Sequence, residues 1–213
     1  MSSKKPHTTY YPDGSIASKY WDQDGELHRM DGPARIEYYE DGSIAREEWC
    51  QHNKYHRDDA PAVTTYNKDG HIMFEGWYQQ GKQHRLGAPA GIYYYPDGNI
   101  NAEEWYQDGW PHRLDGPAAT TYREDDSLME ETWYYQGDPH RLDGPAEIYY
   151  FKGGNIESES WWREGKYHRE DGPARITYRE DGSVKCEMWY QDGEPVEPPT
   201  NVDVVVPEKV VRI

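Results

Sequence analysis

Residues 21–48 read WDQDGELHRMDGPARIEYYEDGSIAREE, and the residue that follows is again a tryptophan, Trp49. The pattern then returns every 28 residues, with Trp77, Trp105, Trp133, Trp161 and Trp189 in the same place. His-Arg steps keep that register from His28-Arg29 to His168-Arg169, a Pro-Ala step follows each one, and tyrosines recur at Tyr38, Tyr66, Tyr94, Tyr122, Tyr150 and Tyr178. No insertion interrupts the series. Chance does not hold seven tryptophans in register, so the chain is an internal repeat.

Each unit carries two turn signals. One is Asp-Gly, as at Asp41-Gly42, Asp69-Gly70, Asp97-Gly98 and Asp181-Gly182; the other is the glycine series Gly25, Gly81, Gly109, Gly137, Gly165 and Gly193. Both suit backbone with positive φ, which Asn53 also tolerates where it replaces the second glycine. Between the turns the pattern alternates with period two: Ala90, Ile92 and Tyr94 point one way, Gly91, Tyr93 and Tyr95 the other. The spacing predicts short strands joined as hairpins, and nowhere does a helical apolar period persist. The predicted fold is all-β, an elongated, twisted solenoid of stacked β-hairpins. One unit cannot close a core alone, so tryptophans and tyrosines of neighbouring units are expected to stack along the rod. Residues 1–7 read as an N-terminal extension, 8–194 as the repeat, and 195–213 as a Pro/Val-rich tail serving as cap or binding segment.

Composition narrows the function. The chain of 213 residues holds 40 Asp and Glu against 23 Lys and Arg, a net charge of −17, with nine Trp and twenty Tyr but two Phe. A surface this acidic is a poor ligand for phosphate, because nucleic-acid affinity comes largely from Lys and Arg displacing counterions. It is equally poor for anionic lipid. With no long apolar window, no hydrophobic signal core and two cysteines far apart, a cytoplasmic protein without a disulfide scaffold is expected. Phosphate loops, nucleophile elbows and Cys-x-x-Cys pairs are absent. Neither a cofactor nor a metal is implied. The six His in register sit too far apart to converge on one ion, and each is expected to pack near a Trp and bond a turn.

The units Trp105-Tyr106-Gln107-Asp108-Gly109-Trp110-Pro111-His112 and Trp161-Trp162-Arg163-Glu164-Gly165-Lys166-Tyr167-His168 resemble the core of the MORN repeat. The His-Arg-x-Asp-Gly-Pro-Ala continuation is similar to bacterial MORN-like antitoxin repeats and to longer variants in large viruses and phages. That resemblance covers about residues 8 to 194. It implies a rod of hairpins that binds partners and carries no catalytic residue.

Shared positions are expected to serve stacking. Trp49, Trp77, Trp105, Trp133 and Trp161 form the ladder's spine. Arg57, Arg85, Arg113 and Arg141 are expected to pair with Glu75, Glu103 and Glu131, which stand two residues before a Trp and, by strand parity, share its side. Binding belongs where units differ, on the strand rows beginning at Arg35, Val63, Gly91, Ala119, Glu147 and Arg175, which read as outward. Candidate anchors are the off-template aromatics Tyr39, Tyr93, Tyr95, Trp110, Tyr149, Phe151 and Trp162, and Val204 and Val206 in the tail. The expected function is a non-catalytic scaffold, an antitoxin, immunity protein or viral or phage anti-defence factor sequestering a protein partner of basic character. A self-assembling structural protein and an acidic nucleic-acid mimic are the alternatives. Oligomeric state is left open by the sequence.

Overall fold

A computed structural model describes residues 5–199 of the chain. It is all-β, and its backbone follows the 28-residue period. Each period supplies one long hairpin, such as Arg35–Tyr38 with Ile44–Glu48, and one short ribbon, such as Cys50–Gln51 with Lys54–Tyr55. The long strands run from His7–Tyr10 and Ile16–Tyr20 to Arg175–Tyr178 and Val184–Met188, forming one 14-stranded antiparallel sheet in sequence order. At about 4.8 Å per strand this is a rod about 62 Å long. Seven two-stranded ribbons hang along it. None of the described residues forms a helix able to cross a membrane.

The turns explain why the unit folds this way. In each short ribbon both central residues have positive φ, for example Asp24 at 55° with Gly25 at 81° and His52 at 50° with Asn53 at 60°. That is the turn whose twist matches a two-residue hairpin. The long hairpin closes differently: Gly42 N–H donates to the Tyr39 carbonyl, Gly42 sits at φ 86°, and Asp41 Oδ1 accepts from Ser43 N–H at 2.9 Å. A bulge between Glu37 and Tyr38 absorbs the extra residue. Asp126 takes the glycine position in one unit at φ 60°.

The innermost side chains are small. Ala34, Ala62, Ala90, Ala118, Ala146 and Ala174 are 0–1% exposed. The first five bond both ways across the sheet, as when Ala34 N–H donates to the Glu48 carbonyl and its own carbonyl accepts from Trp21 N–H. A methyl group enclosed between two such bonds leaves no room for a larger side chain.

The expected ring-on-ring stacking between units is corrected for tryptophan: among the described residues no Trp stacks on Trp, while tyrosine rings at non-equivalent positions do meet across units, Tyr55 with Tyr78 at 5.2 Å and Tyr167 with Tyr190 at 5.4 Å. Equivalent positions in neighbouring units lie two strands apart, about 9.6 Å, and ring pairs need centroids within 4.5–7 Å. Arginine fills the gap. Arg29, Arg57, Arg85, Arg113, Arg141 and Arg169 each lay a guanidinium 3.8–4.1 Å from the ring of the Trp that opens the same unit.

The boundary of the repeat also moves slightly. Glu194–Pro195 pairs with Tyr190–Gln191 as a seventh ribbon, and Val196 N–H donates to the Trp189 carbonyl, so the period outlasts residue 194.

Candidate interaction surface

The shared side chains make two ladders rather than one. In the first, each stacked Arg donates to the carbonyl of the following Pro, at 3.1–3.4 Å, and four of them donate Nε to an Asp two residues on: Asp31, Asp115, Asp143 and Asp171. The glycine of Asp-Gly-Pro-Ala gives that guanidinium its place, since a Cβ on Gly32 would stand 2.6 Å from Arg29 Cζ. Where Ala60 occupies the equivalent site, Arg57 keeps both its Trp and its bond to the Pro61 carbonyl.

The second ladder takes the glutamates. Tyr66 donates to Glu47 at 2.9 Å, Tyr94 to Glu75 at 2.8 Å, Tyr122 to Glu103 at 3.2 Å, Tyr150 to Glu131 at 2.6 Å and Tyr178 to Glu159 at 2.8 Å. The Arg–Glu pairing expected from parity therefore does not form. The second strand of each long hairpin ends at the residue before Trp, so the chain has left the sheet where the alternation was applied. Burial first, then the neighbouring carboxylate, pushes the Tyr66 and Tyr178 hydroxyls up to about 12.

The histidines bond across units. Nδ1 of His56, His84, His140 and His168 accepts from a turn amide of the next ribbon at 3.1–3.4 Å. The described residues contain no group of three or more His, Cys, Asp or Glu placed to hold a metal ion.

The variable strand rows, read from sequence as outward, face the short ribbons instead. Tyr55 of a ribbon donates to Glu48 at 2.7 Å, Arg46 Nε reaches the same carboxylate at 2.7 Å, and Arg35 stands 3.6 Å from it, with Glu48 only 3% exposed. Two units on, Glu104 meets Tyr93 at 3.4 Å, and burial pushes its carboxyl up. Gly76 belongs to this row because a Cβ there would lie 2.7 Å from Tyr78 Cε2. At the far end Arg175 donates to the Tyr167 hydroxyl at 3.2 Å.

Most of the off-template aromatics are consequently engaged within the rod. Tyr39 and Tyr95 donate to the carbonyls of Tyr66 and Tyr122 in the next unit, at 2.7 and 2.8 Å. Tyr93 packs on Phe74 with centroids 4.7 Å apart, Tyr149 donates to Glu147 at 3.4 Å, and Trp162 lies 3.9 Å from the Tyr167 ring. Phe151 is half-buried. Trp110 is the exposed one, at 61%, leaning over Gly137 of the next ribbon. Val204 and Val206 lie outside the described residues.

A surface that the sequence reading did not single out runs along the His-Arg-x-Asp-Gly-Pro-Ala loops. The residue after Arg is Met30, Leu86, Leu114 or Leu142 in four units, and the leucines are 73%, 83% and 89% exposed. Three of the chain's five leucines thus occupy one template position, which is the signal that scarcity alone offered. Between consecutive loops lie open grooves of about 740 Å³, walled by Leu142-Asp143 and Glu170-Asp171 over Trp161-Trp162, and about 680 Å³, walled by Leu114-Asp115 and Leu142-Asp143 over Trp133-Tyr134.

No family model matches the chain, and no curated protein does. The solved structures similar to it include the crystal structure of TcdB2-TccC3-TEV, at 14% identity with a TM-score of 0.23, and that of TcdB2-TccC3-Cdc42, at 13% with a TM-score of 0.22. In both, the match covers 84% of this chain and 11% of the other. The chain thus spans about a ninth of those much longer polypeptides.

Proposed function

We propose that the chain is a MORN-like, non-catalytic scaffold that binds and sequesters a protein partner of basic character, as an antitoxin, an immunity protein or a viral or phage anti-defence factor does. The observation that carries this reading is the row Leu86, Leu114 and Leu142, large apolar side chains presented to solvent on a chain of net charge −17. Exposed apolar rows are the usual mark of an interface, and the carboxylates would steer a cationic partner to it. The immobilised chain should capture a basic protein from host extract at low ionic strength and release it as salt rises. Recovery of nothing would remove the sequestration reading.

A structural role has one observation in its favour. Every residue of the last long strand, Val184–Met188, is exposed and no further strand pairs with it among the described residues, and a strand edge of this kind is a template for pairing with another chain. Light scattering over a wide concentration range decides this: growth of long species supports assembly, a constant monomer ends it.

A further inference from the structure

The loop grooves have a pitch, a polarity and a rim charge, and together these specify a ligand more narrowly than a basic protein. Corresponding points of neighbouring grooves lie two strand spacings apart, about 9.6 Å. In an α-helix, residues i and i+7 are about 10.5 Å apart along the axis and fall within about 20° of the same face. An extended strand covers that distance in three residues, which places the second side chain on the opposite face. Only the helix presents apolar groups to both grooves at once.

The rim is acidic in effect although its formal charges balance. Around the larger groove Arg141 and Arg169 lie flat on Trp133 and Trp161, leaving side-chain exposures of 27% and 24%, and Arg163, 43% exposed, is tied to Glu170 and Asp192 at 3.3 and 2.9 Å, whereas Asp143 and Asp171 are each 85% exposed. Asp115, on the outer wall of the smaller groove, is 84% exposed. An approaching partner meets carboxylates, with Leu114 and Leu142 standing between them. A second copy of the chain would bring the same carboxylates and no helix from its described residues.

Resting on the protein-binding reading above, we propose that the two grooves flanking Leu142 take a cationic amphipathic α-helix of the partner. Its apolar residues at i and i+7 enter one groove each, and its Lys or Arg flanks meet Asp115, Asp143 and Asp171. Two grooves are the limit for a straight helix, because neighbouring strands turn by about 20–25° and carry a third groove out of line. The mode is a helix laid in a groove, with the twist that the groove walls are loops of a β rod.

The probe is a synthetic helical peptide of about 18 residues with Leu at heptad spacing on a Lys background, followed by fluorescence anisotropy. Two controls accompany it, a Glu-background peptide with the same leucines and a Lys peptide whose leucines alternate. The wild-type chain should bind the first peptide and neither control. Leu114→Ser with Leu142→Ser should weaken that binding by at least about tenfold, with an unchanged melting temperature because both side chains are exposed. Asp115→Asn with Asp143→Asn should weaken it a few-fold and flatten its salt dependence. Equal binding by the double serine variant, equal binding of the alternating peptide, or no binding of the heptad peptide would each overturn the assignment. The two levels separate in the capture experiment. If the double serine variant still retains a host protein, the groove is wrong and the scaffold reading stands; if the wild type retains none, the scaffold reading falls as well.

Discussion

The two sides of the long sheet are built on opposite rules. On one, Trp, Arg, Tyr and Glu recur unit after unit, and their bonds join one unit to the next or close its loop. On the other, beneath the short ribbons, the sets differ every time: Arg35, Arg46 and Glu48 with Tyr55, then Phe74 and Gly76 with Tyr78, then Tyr93 and Glu104. Repeated contacts fix the pitch and must be alike. Filling contacts need only suit the volume between sheet and ribbon, so they are free to vary. Variation along this chain therefore marks an interior as well as a surface.

Raising the pH should have the largest effect and should break both sides together, because Tyr55 and Tyr93 of the hidden side are pushed up to about 12 just as the ladder tyrosines are. Tyr66 and Tyr178 hold their protons up to about 12, above the ordinary value near 10. A raised value in the folded state means that the stabilisation is whole below about pH 10 and is lost as pH climbs through 10 to 12. Tyrosinate absorbance should rise together with loss of the β circular-dichroism signal, in one transition; tyrosinate forming well before unfolding would contradict the ladder. Next in size, Trp105→Ala removes the ring under Arg113 and should cost about 3 kcal/mol in urea unfolding. An effect under about 1 kcal/mol would show that the stack is ornamental to stability.

The hidden side is tested by Glu48→Leu, which leaves Arg35 and Arg46 beside an apolar group. Both arginines are more than a third exposed and can rehydrate, so the loss should be about 2 kcal/mol, below the full penalty of a broken buried pair. Adding Arg35→Leu and Arg46→Met should recover most of it, since filling is what the position requires. Failure to recover would mean that the charges themselves are needed. The smallest change is Tyr66→Phe, which takes away one hydrogen bond and should lower stability by about 1 kcal/mol. It should also remove one proton from the alkaline transition, a count that potentiometric titration reads directly.

The repeat, its turns and the all-β rod were legible because each rests on local chemistry: Asp-Gly and Gly at fixed offsets, strict alternation, and tryptophans that never slip. What escaped lies between elements. The side on which Glu47 stands could be reasoned from parity, but its partner could not, because the chain turns off at Trp49 and brings Tyr66 from the next hairpin. The row at Arg35 and Val63 reads as outward until the short ribbons are seen to fold over it. Tyr39 and Tyr95, plausible anchors by composition, are occupied by carbonyls of the following unit. The leucine row was open to discovery in principle, since a residue type used five times and placed three times at one site is a pattern.

The hydrogen bonds and ion pairs of the described chain reach no farther than 29 residues along the sequence, the span from Arg163 to Asp192. A rod so connected has a mechanical signature. Pulled by its two ends, it has no distant clasp to hold it shut, so it should peel from an edge one unit at a time. Each step would release about 28 residues, or roughly 100 Å of chain, and an optical trap should record a staircase at modest force rather than a single rupture.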